Sequence, residues 1–197
     1  LIMAKKKKSI KGTRTEQNIV LAYLNESQSY ARYTFYAKQA DKELYFPIGV
    51  IFRQTAENEF NHAKVFFKML EGGVVDAKVP TDAGIIGDTA TNLKISMGEE
   101  ANAGVKGYEE AAKTAQEEGF PEIAEHFLAI AKAEQHHLDR FTRYLKMVEE
   151  GTVWKRDHAI RWQCLVCGYI FEGNEPPKVC PGCDHPYQHY MPLDEDD

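Results

Sequence analysis

Four long stretches of the chain repeat apolar residues at helical spacing, and an acid interrupts the apolar side of each. The first is expected to begin near Thr13 or Thr15, whose hydroxyls can cap a helix, and to run to about Glu43. Its inward face reads Ile19, Ala22, Tyr23, Glu26, Tyr30, Tyr33, Ala37. The second opens at Pro47, which suits a first turn, and stops at Gly72-Gly73. Ile51, Phe52, Thr55, Glu59, His62, Phe66, Met69 and Leu70 form its face. Residues 73–82, with Pro80, are too long for a tight hairpin and suit a crossover. The third stretch, 83–118, presents Leu93, Met97, Glu100, Gly104, Tyr108 and Ala111. It is weakest just after Glu100, where small residues include Gly104 and Gly107. Each glycine costs a helix about 1 kcal/mol against alanine, so packing or metal must hold this turn. Gly119 and Pro121 lead into the fourth, 121–150, with Ile123, Phe127, Ile130, Ala131, Glu134, His137, Leu138, Phe141 and Leu145 inward. Gly151 stops it.

Residues three apart on a helix share a face, so Glu59 with His62, and Glu134 with His137, each aim a carboxylate and an imidazole the same way. Glu26 and Glu100 add one acid on each of the other two helices, and the spacing from Glu26 to Glu59 nearly repeats from Glu100 to Glu134. One Glu on two helices and Glu-x-x-His on two others is the ligand recipe of a carboxylate-bridged di-iron bundle of the ferritin-like kind. Four ionised carboxylates cannot be buried uncompensated, and no Lys or Arg recurs on these faces, so two metal ions are called for. Carboxylate with imidazole suits non-haem iron, with manganese as another option. Tyr33 and Tyr108 lie two turns beyond Glu26 and Glu100, either as aromatic core or as hydrogen-bond donors to a ligating carboxylate. His126 and His136 fall off the inward stripe and are expected at the surface.

The four cysteines form two C-x-x-C pairs, Cys164 with Cys167 and Cys180 with Cys183. This spacing presents four thiolates tetrahedrally and fits zinc or a single iron in a reducing compartment, not a disulfide framework. Gly168 and Gly182 allow the tight turns that aim amides at sulfur, and Trp162, Tyr169 and Phe171 are expected to form the module's core.

Hydrophobic residues at 43% and charged residues at 27% provide for one sizeable domain and a small one. A net charge of −6 argues against a nucleic-acid partner. The lysines 5–8 belong to a basic leader, residues 1–12, expected to be disordered. No apolar run approaches the ~20 residues of a membrane span, and no apolar signal core stands near the start; the expectation is a cytoplasmic protein without a membrane partner. The domain expectation is a mainly α protein: bundle over 13–151, charged linker over 152–161, cysteine module over 162–193, disordered acidic tail over 194–197.

In this order of parts the chain resembles rubrerythrin, a ferritin-like di-iron four-helix bundle followed by a rubredoxin-like domain. The resemblance rests on Gly12-Thr13-Arg14-Thr15-Glu16, Glu26-Ser27-Gln28, residues 59–64, Leu70-Glu71-Gly72-Gly73, Ala83-Gly84-Ile85-Ile86, residues 164–169 and residues 180–186. It implies iron at Cys164, Cys167, Cys180 and Cys183, passing electrons to a di-iron centre held by Glu26, Glu59, His62, Glu100, Glu134 and His137. It implies reduction of hydrogen peroxide to water in oxidative-stress protection, with electrons from NAD(P)H through a separate reductase or rubredoxin. It also implies a homodimer in which one subunit's rubredoxin-like domain approaches the other's di-iron site. One departure stands out. The family usually carries a second Glu three residues after the ligand on the third helix, and here Ala103 takes that place; a register slipped by one would make Glu99 the ligand and Asn102 the substitute. With either register the second carboxylate is gone, so His62 is expected to stay bound in both redox states, beside a pocket for water or peroxide near Ala103. Two other functions compete: a ferroxidase that oxidises Fe(II) with dioxygen, and a structural or sensing protein with a zinc ribbon.

Overall fold

The computed structural model describes residues 8–79 and 84–193; the lysines at 5–7, Pro80 and the acidic tail lie outside the described residues. Helix α1 (Arg14–Lys42) is capped by Thr13, whose side chain accepts from the Glu16 amide, while the Glu16 carboxylate accepts from the Gly12 amide. Helix α2 (Phe46–Met69) carries Pro47 in its first turn, where a missing N–H costs nothing. The chain leaves it through Gly72 and Gly73, at φ of 75° and 92°, a region open mainly to glycine.

The third expected helix is shorter and broken. Residues 84–88 are not helical, and α3 (Thr89–Glu99) begins only where Asp88 accepts from the Thr91 amide, a stronger cap than anything upstream. A π-helical turn (Glu100–Lys106) follows, then α4 (Gly107–Glu117). This is the glycine-rich stretch whose weak helical preference lets the backbone take the wider turn. Helix α5 (Pro121–Glu150) ends at Gly151 with φ 67°.

Helix α1 packs along α2, and α5 along α3, the π turn and α4. The bundle core falls into two apolar clusters. One holds Ile19, Phe66, Tyr108, Phe120 and Phe127; the other holds Tyr33, Ile48, Phe52, Leu93 and Phe141. On every helix the acids and histidines fall between the residues of these clusters, so hydrocarbon closes the site from both ends.

Three expectations from the pattern change. Tyr30 is not inward: it is 41% exposed, its ring against the equally exposed Phe60. Residues 8–12 of the expected disordered leader are tied down, with Ile10 buried and its amide donating to Glu71, because an apolar side chain there completes the cluster around Phe120. The expected linker is also packed. Val153 is buried in the second cluster and Trp154 stacks on Tyr45 at 5.6 Å.

The cysteine module is a small antiparallel sheet, β1 (Ile160–Cys164), β2 (Ile170–Gly173) and β3 (Tyr190–Pro192), in the order β2-β1-β3. Trp162 is fully buried and Phe171 packs on it, but Tyr169, expected in the core, is 40% exposed. The module meets the bundle where α2 begins, with His189 stacked on Phe46 at 3.9 Å. Among the described residues no helix is long and apolar enough to cross a membrane.

Candidate di-metal and four-cysteine sites

The six bundle residues singled out by pattern converge. Ligand atoms of Glu26, Glu59, His62 and Glu134 all lie within 4.8 Å of one another, and so do those of Glu59, Glu100, Glu134 and His137. Glu59 and Glu134 belong to both groups. His62 Nδ1 lies 3.1 Å from Glu59 Oε2 and 3.0 Å from Glu134 Oε1. His137 Nδ1 lies 3.1 Å from Glu59 Oε1 and 2.8 Å from Glu134 Oε2. Each central carboxylate thus gives one oxygen to each imidazole. Glu26 stands at 3.9 Å from His62, and Glu100 at 3.9 Å from His137. The near-symmetric arrangement offers two four-ligand positions bridged by two carboxylates, a donor set of oxygen and imidazole that fits two iron ions. Glu59 Oε1 and Glu134 Oε1 are buried without an aligned hydrogen bond, the condition expected of oxygens meant for a cation.

Protein groups alone leave this cluster under strain. Burial, then the charges of Glu59 and Glu134, raise Glu26 and Glu100 well above the usual carboxylate range. Burial works against a charged His62, but hydrogen bonds to Glu134 and Glu59 outweigh it and raise the imidazole to about 10. Glu134 is likewise opposed by burial, yet its contacts with His137 and His62 hold it down at about 2. Protons stand in for the positive charge that metals would bring.

Glu100, not Glu99, is the inward acid: Glu100 is buried, while Glu99 turns away to pair with Arg32 at 2.8 Å. The π turn brings Gly104 so close to α5 that a Cβ there would lie 2.9 Å from Glu134 Cβ. Ala103 and Gly104 line a cavity of about 300 Å³ that reaches Glu26, Glu59, Glu100 and Glu134 and also meets Asn25 and Arg32. The two tyrosines donate crosswise. Tyr33 on α1 donates to Glu100 Oε1 at 2.6 Å, and Tyr108 on α4 donates to Glu26 Oε1. His126 and His136 are exposed.

Two contacts escaped the sequence pattern. Asn58 Nδ2 lies 3.1 Å from His137 Nε2, on the far side of the ring from the carboxylates. Arg140, a single cation not singled out by the pattern, is buried on α5 and donates from Nη2 to Thr55 Oγ1 at 2.5 Å. The signal was present, since Arg140 follows His137 by three positions.

In the module, Cys164, Cys167, Cys180 and Cys183 bring four sulfurs within 4.8 Å of one another with no disulfide between them. Cys164 and Cys183, and Cys167 and Cys180, stand 3.7 Å apart. A Cβ at Gly182 would meet Cys167 Sγ at 3.2 Å, and Gly168 turns at φ 77°. Cys164 and Cys180 are buried, whereas Cys167 is exposed.

Comparison with known proteins covers both halves. The family model described as Rubrerythrin matches residues 17–145 and 91–163, and the model described as Rubrerythrin, rubredoxin-like domain, matches residues 162–191. The chain is 45% identical over 186 residues to a rubrerythrin of Porphyromonas gingivalis, covering 94% of this chain and 93% of that protein. It is 43% identical over 183 residues to a rubrerythrin of Nitratidesulfovibrio vulgaris, covering 93% and 96%. A solved structure of nigerythrin in a mixed-valence state superposes with a TM-score of 0.61 at 25% identity, covering 98% of this chain and 91% of that one.

Proposed function

The chain belongs to the rubrerythrin family, and we propose that it reduces hydrogen peroxide to water at the bundle site, with electrons arriving through the four-cysteine site. The observation that carries this reading is the sharing of Glu59 and Glu134 between two four-residue groups on a chain that also holds four clustered thiols. In this reading Glu26, Glu59, His62 and Glu134 hold one iron, and Glu59, Glu100, Glu134 and His137 the other. A reduced pair of irons supplies the two electrons that, with two protons, turn one peroxide into two waters. The protein's own part is positioning. Tyr33 and Tyr108 fix the rotamers of Glu100 and Glu26, the outer carboxylates, and Asn58 orients the His137 ring from behind. The apolar clusters above and below exclude bulk water, and the cavity beside Ala103 admits a molecule the size of peroxide. With no carboxylate at position 103, His62 stays a ligand in both redox states.

Electrons come from NAD(P)H through a separate reductase or rubredoxin to iron at the four cysteines. Thirteen residues of α2 separate Phe46, where the module docks, from Glu59, about 20 Å at ~1.5 Å per residue. A homodimer that brings a partner's module closer to the bundle site would shorten this path. The aromatic strip of exposed Tyr30, Phe60 and Phe67 with half-buried Tyr23 supports association.

Anaerobic stopped-flow tests the reaction. Fully reduced protein is expected to be oxidised faster by hydrogen peroxide than by dioxygen. A preference for dioxygen, with retention of the ferric product, would instead make the protein a ferroxidase.

A further inference from the structure

Buried hydroxyls in this protein have oxygen acceptors where the pattern placed them: Tyr33 and Tyr108 donate to carboxylates and Tyr36 to the Ile85 carbonyl. Tyr190 is different. Its side chain is fully buried at the heart of the module's core with Trp162, Cys164 and Cys180. Its hydroxyl is buried with no hydrogen-bond partner among the described residues. Strand pairing sets Tyr190 directly opposite Cys164, its carbonyl is taken by Trp154 Nε1, and its side chain shares the module's core with the buried Cys180. A buried hydroxyl without an acceptor is costly, and a thiolate sulfur supplies one.

We propose that Tyr190 is a positioning residue of the four-cysteine centre, its hydroxyl donating a hydrogen bond to the Cys180 sulfur and thereby raising the reduction potential of the iron held there. This rests on the reading of the module as an iron centre. One-electron reduction of iron in four thiolates leaves the unit one charge more negative, and a donor aimed at sulfur stabilises the more negative state more. Cys180 is buried whereas Cys167 is exposed, so a donor inside the core acts on a sulfur that water does not reach. The consequence for function is a centre that accepts an electron from its donor more readily and holds it at a higher potential for the bundle site.

The test is Tyr190→Phe in the full chain, reconstituted with iron and titrated potentiometrically through its ferric-thiolate absorption. The phenyl ring fills the same space, so the module keeps its colour. The potential is expected to fall, so that at a fixed solution potential the ratio of reduced to oxidised centre drops severalfold; a tenfold drop corresponds to ~59 mV for one electron. A coloured variant whose ratio stays within twofold of the unaltered protein overturns the proposal alone. Unaltered protein that takes up iron without colour removes the iron reading, and this inference with it. Should the variant not hold iron, protein labelled uniformly with 3-fluorotyrosine decides the matter: a more acidic phenol is a stronger donor, the potential must rise, and an unmoved potential overturns the proposal.

Discussion

The bundle and the cysteine module both gather metal-binding side chains, but they collect them over opposite distances. In the module, two pairs of thiols sit on two short turns within one stretch of chain, and the turns themselves set the angles. In the bundle, six groups come from four helices and none is held by a local turn; two apolar clusters set the spacing. The module brings together four thiols, of which Cys167 is exposed and Cys183 half-buried. The bundle forces four carboxylates into a water-poor layer, where burial and mutual repulsion drive Glu26 and Glu100 toward their protonated forms until something more positive arrives. Local geometry thus makes a site that tolerates the loss of its neighbours, and tertiary packing makes one that depends on all of them.

Glu134→Ala against Cys183→Ser is the sharpest way to break that contrast. Glu134 serves both bundle positions, so its loss is expected to empty both and cut peroxide turnover by more than about 100-fold, beyond the usual effect of removing a supporting residue. Cys183→Ser should abolish the ferric-thiolate absorption and NAD(P)H-linked turnover, while chemically reduced protein is still oxidised by peroxide. Metal analysis and visible spectra read both. A Glu134→Ala protein that retains two irons would put the bridging role elsewhere.

Tyr108→Phe has a smaller effect of the same kind. It frees Glu26 from its donor, and metal affinity or turnover in the bundle is expected to fall ~10–100-fold, measured by iron titration, with the module's spectrum unmoved.

The smallest effect is one of sign. In metal-free protein His62 is raised from 6.5 to about 10, and His137, Glu26 and Glu100 are raised as well. Each of these binds its proton more tightly folded than unfolded, so the stability they contribute is full at low pH and is lost as pH rises through their folded values. Glu134, lowered from 4.5 to about 2, acts the other way, and its contribution disappears as pH falls below the ordinary carboxylate range. Metal-free protein should therefore melt at a lower temperature as pH climbs from about 5 to 9. Metal binding needs neutral imidazoles and ionised carboxylates, so iron-loaded protein should gain stability over the same interval. Thermal melting with iron or with chelator compares the two slopes; parallel slopes would mean the cluster is not where the protons sit.

Much of this was legible along the chain. Helical periodicity marked four runs, the acid that interrupts each and the two Glu-x-x-His pairs, because side chains three and four apart must share a face. The C-x-x-C pairs were equally plain, since their geometry is local. Gly104 and its neighbours signalled a weak turn without revealing that it would become a π turn, or that a Cβ at Gly104 would lie 2.9 Å from Glu134 across the helix interface. The pattern offered Tyr33 as a donor to a ligating carboxylate without saying which; seven residues of helix span about 10 Å, too far for a hydrogen bond to Glu26, so each tyrosine reaches across to the other helix's acid.

What the order of residues determined alone was which side chains share a face and which thiols share a turn, since one helical or turn geometry relates them. Which oxygen of Glu59 or Glu134 meets which imidazole, that Glu99 turns out to Arg32, that Arg140 lies inside, and that the Tyr190 hydroxyl is buried without a hydrogen-bond partner were decided by tertiary packing. Those outcomes depend on how separate elements close around one another, and no local period in the chain encodes that distance.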